Sequence, residues 1–146
     1  MMIHTTGVFV FENKNYGGLI FGDPDAKNWT QIFTKKRDYQ SRKEYFFNPI
    51  KQNDTHIQSL KKTLSMERPI YSVIVFGDRC ELKNISEKIT RYYTICRTHS
   101  VKQNVSRIAA IEERVIKQEQ VEQIYDTLYP YSQVSENIKR KHIYNV

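Results

Sequence analysis

Apolar positions along this chain fall into runs of two periods, and those runs predict its elements. Gly7-Val8-Phe9-Val10-Phe11 is almost continuously apolar and continues through Glu12-Asn13-Lys14, the pattern of a strand covered on both faces. Asn15-Tyr16-Gly17-Gly18 marks a turn, Leu19-Ile20-Phe21 a returning strand, Gly22-Asp23-Pro24-Asp25 another turn, and Trp29-Thr30-Gln31-Ile32-Phe33 a third strand, giving three strands in meander order. Thr34 to Glu44 is polar and basic and reads as an exposed hairpin tip or loop. Asn48-Pro49 starts a helix, because Asn caps free N–H groups and Pro is tolerated at the first helical position; the helix runs to about Leu64. Ile57, Leu60 and Leu64 form its buried stripe, while Gln52 and His56, four apart, share another face beside the sheet.

After Pro69, the β-branched and aromatic run Ile70 to Phe76 predicts a central strand ended by Gly77-Asp78, and Arg91 to Cys96 supplies another. The remainder is helical in pattern. Ile108, Ile111 and Val115 mark one short helix; Val121, Ile124, Tyr125 and Leu128 mark a second that Pro130 breaks. Val134, Ile138 and His142 line a last helix, with Lys139-Arg140-Lys141 at the negative end of its dipole. These helices read as cover for the sheet rather than a second core. The division expected is a core over residues 1–100 and a helical C-terminal extension over 101–146 that packs on it.

With 146 residues, 39% hydrophobic and 27% charged, the chain fits one domain of ordinary size and is neither disordered nor membranous in composition. No apolar stretch approaches the roughly 18 residues of a membrane span, and Met1 to His4 lacks the regions of a signal peptide, so a cytoplasmic location is expected. Cys80 and Cys96 lack C-x-x-C spacing and read as buried reduced thiols. A net charge of +7 favours polyanionic partners. Lys35, Lys36, Arg37, Arg42 and Lys43 form either a phosphate-contacting arm or a solvated loop.

The candidate chemistry lies at Glu12-Asn13-Lys14. Residues two apart on a strand project from one face, so this carboxylate and ammonium stand together. The E-x-K spacing is that of half a metal-dependent phosphodiesterase site, and it is also that of an ordinary ion pair at a strand end. No zinc spacing joins Cys80, Cys96, His4, His56, His99 and His142, and the chain has no G-x-G-x-x-G, Walker or nucleophile-elbow pattern.

Taken in order, Gly7 to Gly18 with its Glu12-Asn13-Lys14, then Trp29-Thr30-Gln31, then Phe47 to Asn53 with His56, then Ser72 to Phe76, resemble the NERD (nuclease-related domain) family over roughly residues 3 to 85. The segments Ile124-Tyr125, Pro130-Tyr131, Val134-Ser135 and Lys141-His142-Ile143 also resemble the tail of some bacterial members. The resemblance implies an α/β, restriction-endonuclease-like fold of the PD-(D/E)xK type, a mixed β-sheet flanked by helices, with a nuclease activity dependent on Mg2+ or Mn2+. In that pattern an aspartate and the glutamate matching Glu12 hold the metal, and the lysine matching Lys14 orients or activates the attacking water. The chemistry agrees, since a hard cation takes oxygen ligands and polarises a phosphate, while an ammonium stabilises developing negative charge. Gln31, Gln52 and Asn53, amides within the matching motifs, either hold a metal-bound water or a phosphate or satisfy buried backbone groups, and His56 is either a positioning group or a structural one.

The family pattern also carries a helix, strands and an Ile-Asp motif before the segment matching Met2-Ile3-His4. The aspartate then falls just before Met1, and the domain is expected to be N-terminally truncated. Asp23, Asp25 and Asp78 are the nearest other aspartates, each in a turn. Loss of those elements exposes a sheet edge that invites a second copy of the chain. Two readings follow. One is a nuclease, acting on DNA in preference to RNA, in which Glu12 and Lys14 are catalytic and an upstream aspartate completes the site. The other is a non-catalytic module that keeps the fold and binds nucleic acid or protein.

Overall fold

The computed structural model describes residues 1–34, 41–65 and 69–133. Its first half holds β1 (Met2–His4), β2 (Gly7–Lys14), β3 (Gly18–Phe21), β4 (Asn28–Thr34), β5 (Ser41–Phe47) and α1 (Pro49–Leu64). The second half holds β6 (Ile70–Phe76), β7 (Cys80–Lys83), β8 (Lys88–Ile89), β9 (Thr94–Arg97), α2 (Val101–Ile111) and α3 (Gln118–Ser132). The architecture is mixed α/β, with two mixed sheets and three helices among the described residues, and is compatible with a restriction-endonuclease-like fold.

The first sheet has the order β1-β2-β6-β9-β8, in which β2, β6 and β9 run parallel and the two edge strands antiparallel. Its centre is β6, whose residues Val73 to Phe76 are buried on both faces, as its uninterrupted apolar sequence requires. Alternation along the strand divides the core. Val73 and Val75 meet Phe9, Cys96 and the Val105 and Ile108 face of α2, while Ile74 and Phe76 meet Trp29, Ile20 and Ile95. Val8 joins Leu64, Ile116 and Ile124, so α1 and α3 share the side of the sheet that β2 presents through its even-numbered residues. The second sheet, ordered β5-β4-β3-β7, packs onto that same side, and Trp29 stacks on Phe76 with ring centroids 6.0 Å apart.

Several elements differ from the sequence expectation. The meander does not start at β2, because β2 is apolar on both faces and lies inside the first sheet, paired with β1 and β6. The chain leaves it at Gly18, whose φ of 75° suits glycine and where a Cβ would stand 2.4 Å from the Ile32 carbonyl oxygen. The meander proper is β3-β4-β5. Residues 41–44 belong to β5 rather than to a loop, since the following Phe46 needs an inward position, which it takes against Tyr16 and Trp29. Helix α2 begins at Val101 and is buried through Val105 and Ile108; Ile111 is exposed and Val115 lies beyond the helix end. Helix α3 does not break at Pro130 but continues through it to Ser132, so the proline lies in its last turn. Residues 134–146, with the expected last helix, and Lys35, Lys36 and Arg37 lie outside the described residues. No described helix is long and apolar enough to cross a membrane.

Asn48 fixes how α1 enters the structure. It is fully buried; its Oδ1 accepts from the Ile50 N–H at 2.9 Å, and its Nδ2 donates to the carbonyls of Asp23, Pro24 and Ala26 at 3.2, 2.9 and 2.8 Å. One side chain thus caps the helix and closes the loop between β3 and β4. Asn48→Ala removes the cap and leaves buried carbonyls unpaired, at a cost of about 2–4 kcal/mol. Urea unfolding of the two proteins measures that loss. Cys80 and Cys96 are buried free thiols, and burial, reinforced by Glu87, pushes the Cys96 thiol up to about 11. Both are therefore expected to resist a thiol-specific reagent near neutral pH in the native protein and to react on denaturation.

Candidate functional site

Strand β2 changes character along its length. Val8 and Val10 supply apolar contacts to α1 and α3, and the same face continues with Glu12 and Lys14, beside Ile74 and Phe76 of β6. Two polar side chains therefore stand where the core ends, at the carboxyl end of parallel strands, the place where open α/β sheets hold ligands. The Gly77 N–H donates to the Lys14 carbonyl at 3.0 Å and anchors this end of the strand.

Glu12 and Lys14 form an ion pair, with Lys14 Nζ 2.9 Å from Glu12 Oε1 and side chains only 12% and 13% exposed. Lys14 Nζ also donates to Gln52 Oε1 at 2.9 Å and lies 5.9 Å from the centre of the Tyr16 ring. Across the cluster, His56 Nε2 stands 3.5 Å from Glu12 Oε2. Gln52 and His56 are successive-turn residues of α1, so one helix face brings both to one strand. Four of the sequence candidates, Glu12, Lys14, Gln52 and His56, are thus assembled in one place.

Other candidates are engaged elsewhere. Asn53 is fully buried within the Ile57 and Leu64 stripe, where its Nδ2 donates to the Val10 carbonyl and to Ser72 Oγ, both at 2.9 Å. It clasps β2 to β6, and its Oδ1 is buried with no hydrogen-bond partner among the described residues. Gln31 donates from Nε2 to the Gly17 carbonyl at 2.8 Å and so holds the turn that carries Tyr16. Arg42 pairs with Glu44, and Lys43 Nζ lies 5.0 Å from the Tyr45 ring centre. Sequence reasoning missed Tyr16 as a wall of this cluster, and a second pair, His99 Nδ1 with Asp78 Oδ1 at 2.6 Å, where β6 and β9 end. A strand followed by Gly-Asp was the one available signal for the latter.

A divalent cation is poorly served by these residues. Glu12 is the one carboxylate of the cluster, and both its oxygens already face a cation or an imidazole. Asp78 is engaged by His99, and an Asp23 carboxylate oxygen accepts the Asp25 N–H at 2.9 Å. Among the described residues no group of three or more His, Cys, Asp or Glu is arranged to hold a metal. The set present does not fit Mg2+ or Mn2+, which take several oxygen ligands.

Comparison with known proteins gives one family and one relative. A family model described as the nuclease-related domain matches residues 1–77. An uncharacterized protein of Bacillus anthracis is 30% identical over 148 aligned positions, which cover 98% of this chain and 63% of that protein. The chain thus spans about 63% of the length of that relative. No solved structure matches.

Because Glu12 and Lys14 are mostly removed from water, their energetic coupling should exceed that of a surface pair. In a double-mutant cycle of Glu12→Gln and Lys14→Met, read by urea unfolding, a coupling of about 1–2 kcal/mol is expected. Additive single effects would show that the pair is not formed in solution.

Proposed function

This chain belongs to the nuclease-related domain family, and from that premise we propose that it is a nucleic-acid-processing module, with DNA as its favoured substrate, that engages a phosphodiester at Glu12 and Lys14. The observation that carries this reading is the mostly buried Glu12–Lys14 pair at the carboxyl end of parallel strands, joined there by Gln52 and His56. Lys14 supplies a fixed positive charge that a phosphate oxygen can approach, and Gln52 holds its ammonium in place. His56, at 54% exposed, stands at the solvent side of the cluster.

Cleavage requires a second carboxylate, with Mg2+ or Mn2+ as the cofactor of the site so completed. The register of β1 is compatible with such a residue upstream. Met2 pairs with Phe9 and Ile3 with Val8 in antiparallel order; the same register carried upstream would set Met1 against Val10, the residue before it against Phe11, and the one before that against Glu12. Paired residues share a face, and an aspartate at that position would stand beside the Glu12 carboxylate. The observation favouring a binding role for the 146-residue chain itself is that Glu12 is taken up by Lys14 and His56 with no second carboxylate at hand among the described residues.

Incubation with supercoiled plasmid or single-stranded DNA and Mg2+ or Mn2+ tests this reading. The 146-residue chain should bind DNA and leave it uncut. A form extended upstream, with aspartate opposite Glu12, should nick or degrade it, and Glu12→Ala in that form should lower the rate at least about a hundredfold. Equal cleavage by the Glu12→Ala form, or none by the extended form, would overturn the assignment.

A further inference from the structure

The second sheet buries one face and exposes side chains of β5 on the other. Its inner face carries Ile20, Trp29 and Phe46 into the core. Its outer face follows from the register: Phe21 stands beside Thr30 and Thr30 beside Tyr45, with Phe47 two residues further along β5. Tyr45 is 66% and Phe47 44% exposed, and Phe21 is partly exposed. Three aromatic side chains therefore share one surface, about 7 Å apart along β5 and about 10 Å apart across β4.

Cations frame these rings. Lys43 Nζ lies 5.0 Å from the Tyr45 ring centre, on the outer face, whereas its neighbour Arg42, on the other face by register, pairs with Glu44 and keeps its side chain 77% exposed. Lys83, beside Phe21, is also on the outer face, where it is paired with Glu81.

We propose that the outer face of the β5-β4-β3-β7 sheet is a platform for single-stranded nucleic acid, on which unpaired bases stack against Phe21, Tyr45 and Phe47 while Lys43 and Lys83 meet the phosphates. This rests on the nucleic-acid reading above and names the form of substrate. Flat aromatic rings on an open sheet offer a surface to splayed bases whatever their sequence, and duplex bases stacked on one another cannot use it. Charge selects this occupant over a second copy of the chain. The face and the whole molecule, at +7, are basic, so an isologous contact would bring the same lysines together, and charged residues on the edge strand β5 oppose strand-to-strand pairing.

Fluorescence anisotropy with a labelled single-stranded DNA oligonucleotide of about twelve residues, and with its blunt duplex, tests the platform. The single strand should bind more tightly than the duplex. Tyr45→Ala with Phe47→Ala should weaken single-strand binding about tenfold or more and leave duplex binding unchanged, Tyr45→Trp should retain it, and Lys43→Ala should lower the salt slope by about one. Both rings are exposed, and circular dichroism of each variant verifies folding. Duplex and single strand bound alike, with the double variant unchanged, would overturn the platform and leave the nucleic-acid reading standing. Binding of neither would overturn both. A dimer in sedimentation that the double variant dissociates, without any change in oligonucleotide affinity, would show instead that the face joins two copies.

Discussion

Parallel pairing of β2 with β6 is the constraint on which the rest of this molecule depends. The register from Val8–Ile70 to Lys14–Phe76 aligns two apolar strands, each of which must be covered on both sides. Parallel neighbours cannot be joined by a tight turn, so the chain between them has to travel. Here it uses that distance to build β3, β4, β5 and α1. Covering one side falls to α2, and covering the other to α1, α3 and the second sheet. The site inherits its position from the same register, because Glu12 and Lys14 lie on the side to which α1 is committed.

Polar residues placed inside this frame do different work from those at its end. Asn53 lies in an otherwise apolar helical stripe, yet it binds Val10 and Ser72, which face one another in the β2–β6 register. It fixes the translation of α1 along the strands. One helical turn in the other direction, Asn48 fixes the helix start against the β3–β4 loop. With both ends of this span held, Gln52 and His56 have little freedom in where they meet β2. A site made of four side chains from two elements is thereby positioned by two asparagines whose own side chains hydrogen-bond to none of the four.

Legibility in the sequence follows the range of the interactions involved. Helix α1, strand β6 and the shared face of Glu12 and Lys14 depend on local periodicity and capping, and the chain states those within a few residues. The pairing of Gln52 with His56 was readable for the same reason, since a spacing of four fixes a common helix face. Division of the strands into two sheets was not readable, because short runs such as Leu19 to Phe21 have the same pattern whichever partner they take. The functions of Asn53 and Gln31 were equally hidden: an amide in a motif looks alike whether it awaits a ligand or closes a backbone carbonyl. His99 and Asp78, 21 residues apart, meet only because β6 and β9 are neighbours.

The charge of the site bears on where affinity has to originate. The charges of Glu12 and Lys14 cancel, so a phosphodiester gains little from long-range attraction to that pair. In the proposed reading, attraction then comes from cations outside the cluster, for which the chain's net charge of +7 leaves ample supply. The β4–β5 hairpin is the element best suited to connect the two. Its inner face sends Phe46 against Tyr16, whose ring borders Lys14, and its outer face carries Lys43 over Tyr45. A strand held on the outer face, as proposed, would therefore be tethered to the hairpin whose Phe46 packs against the Tyr16 ring beside Lys14.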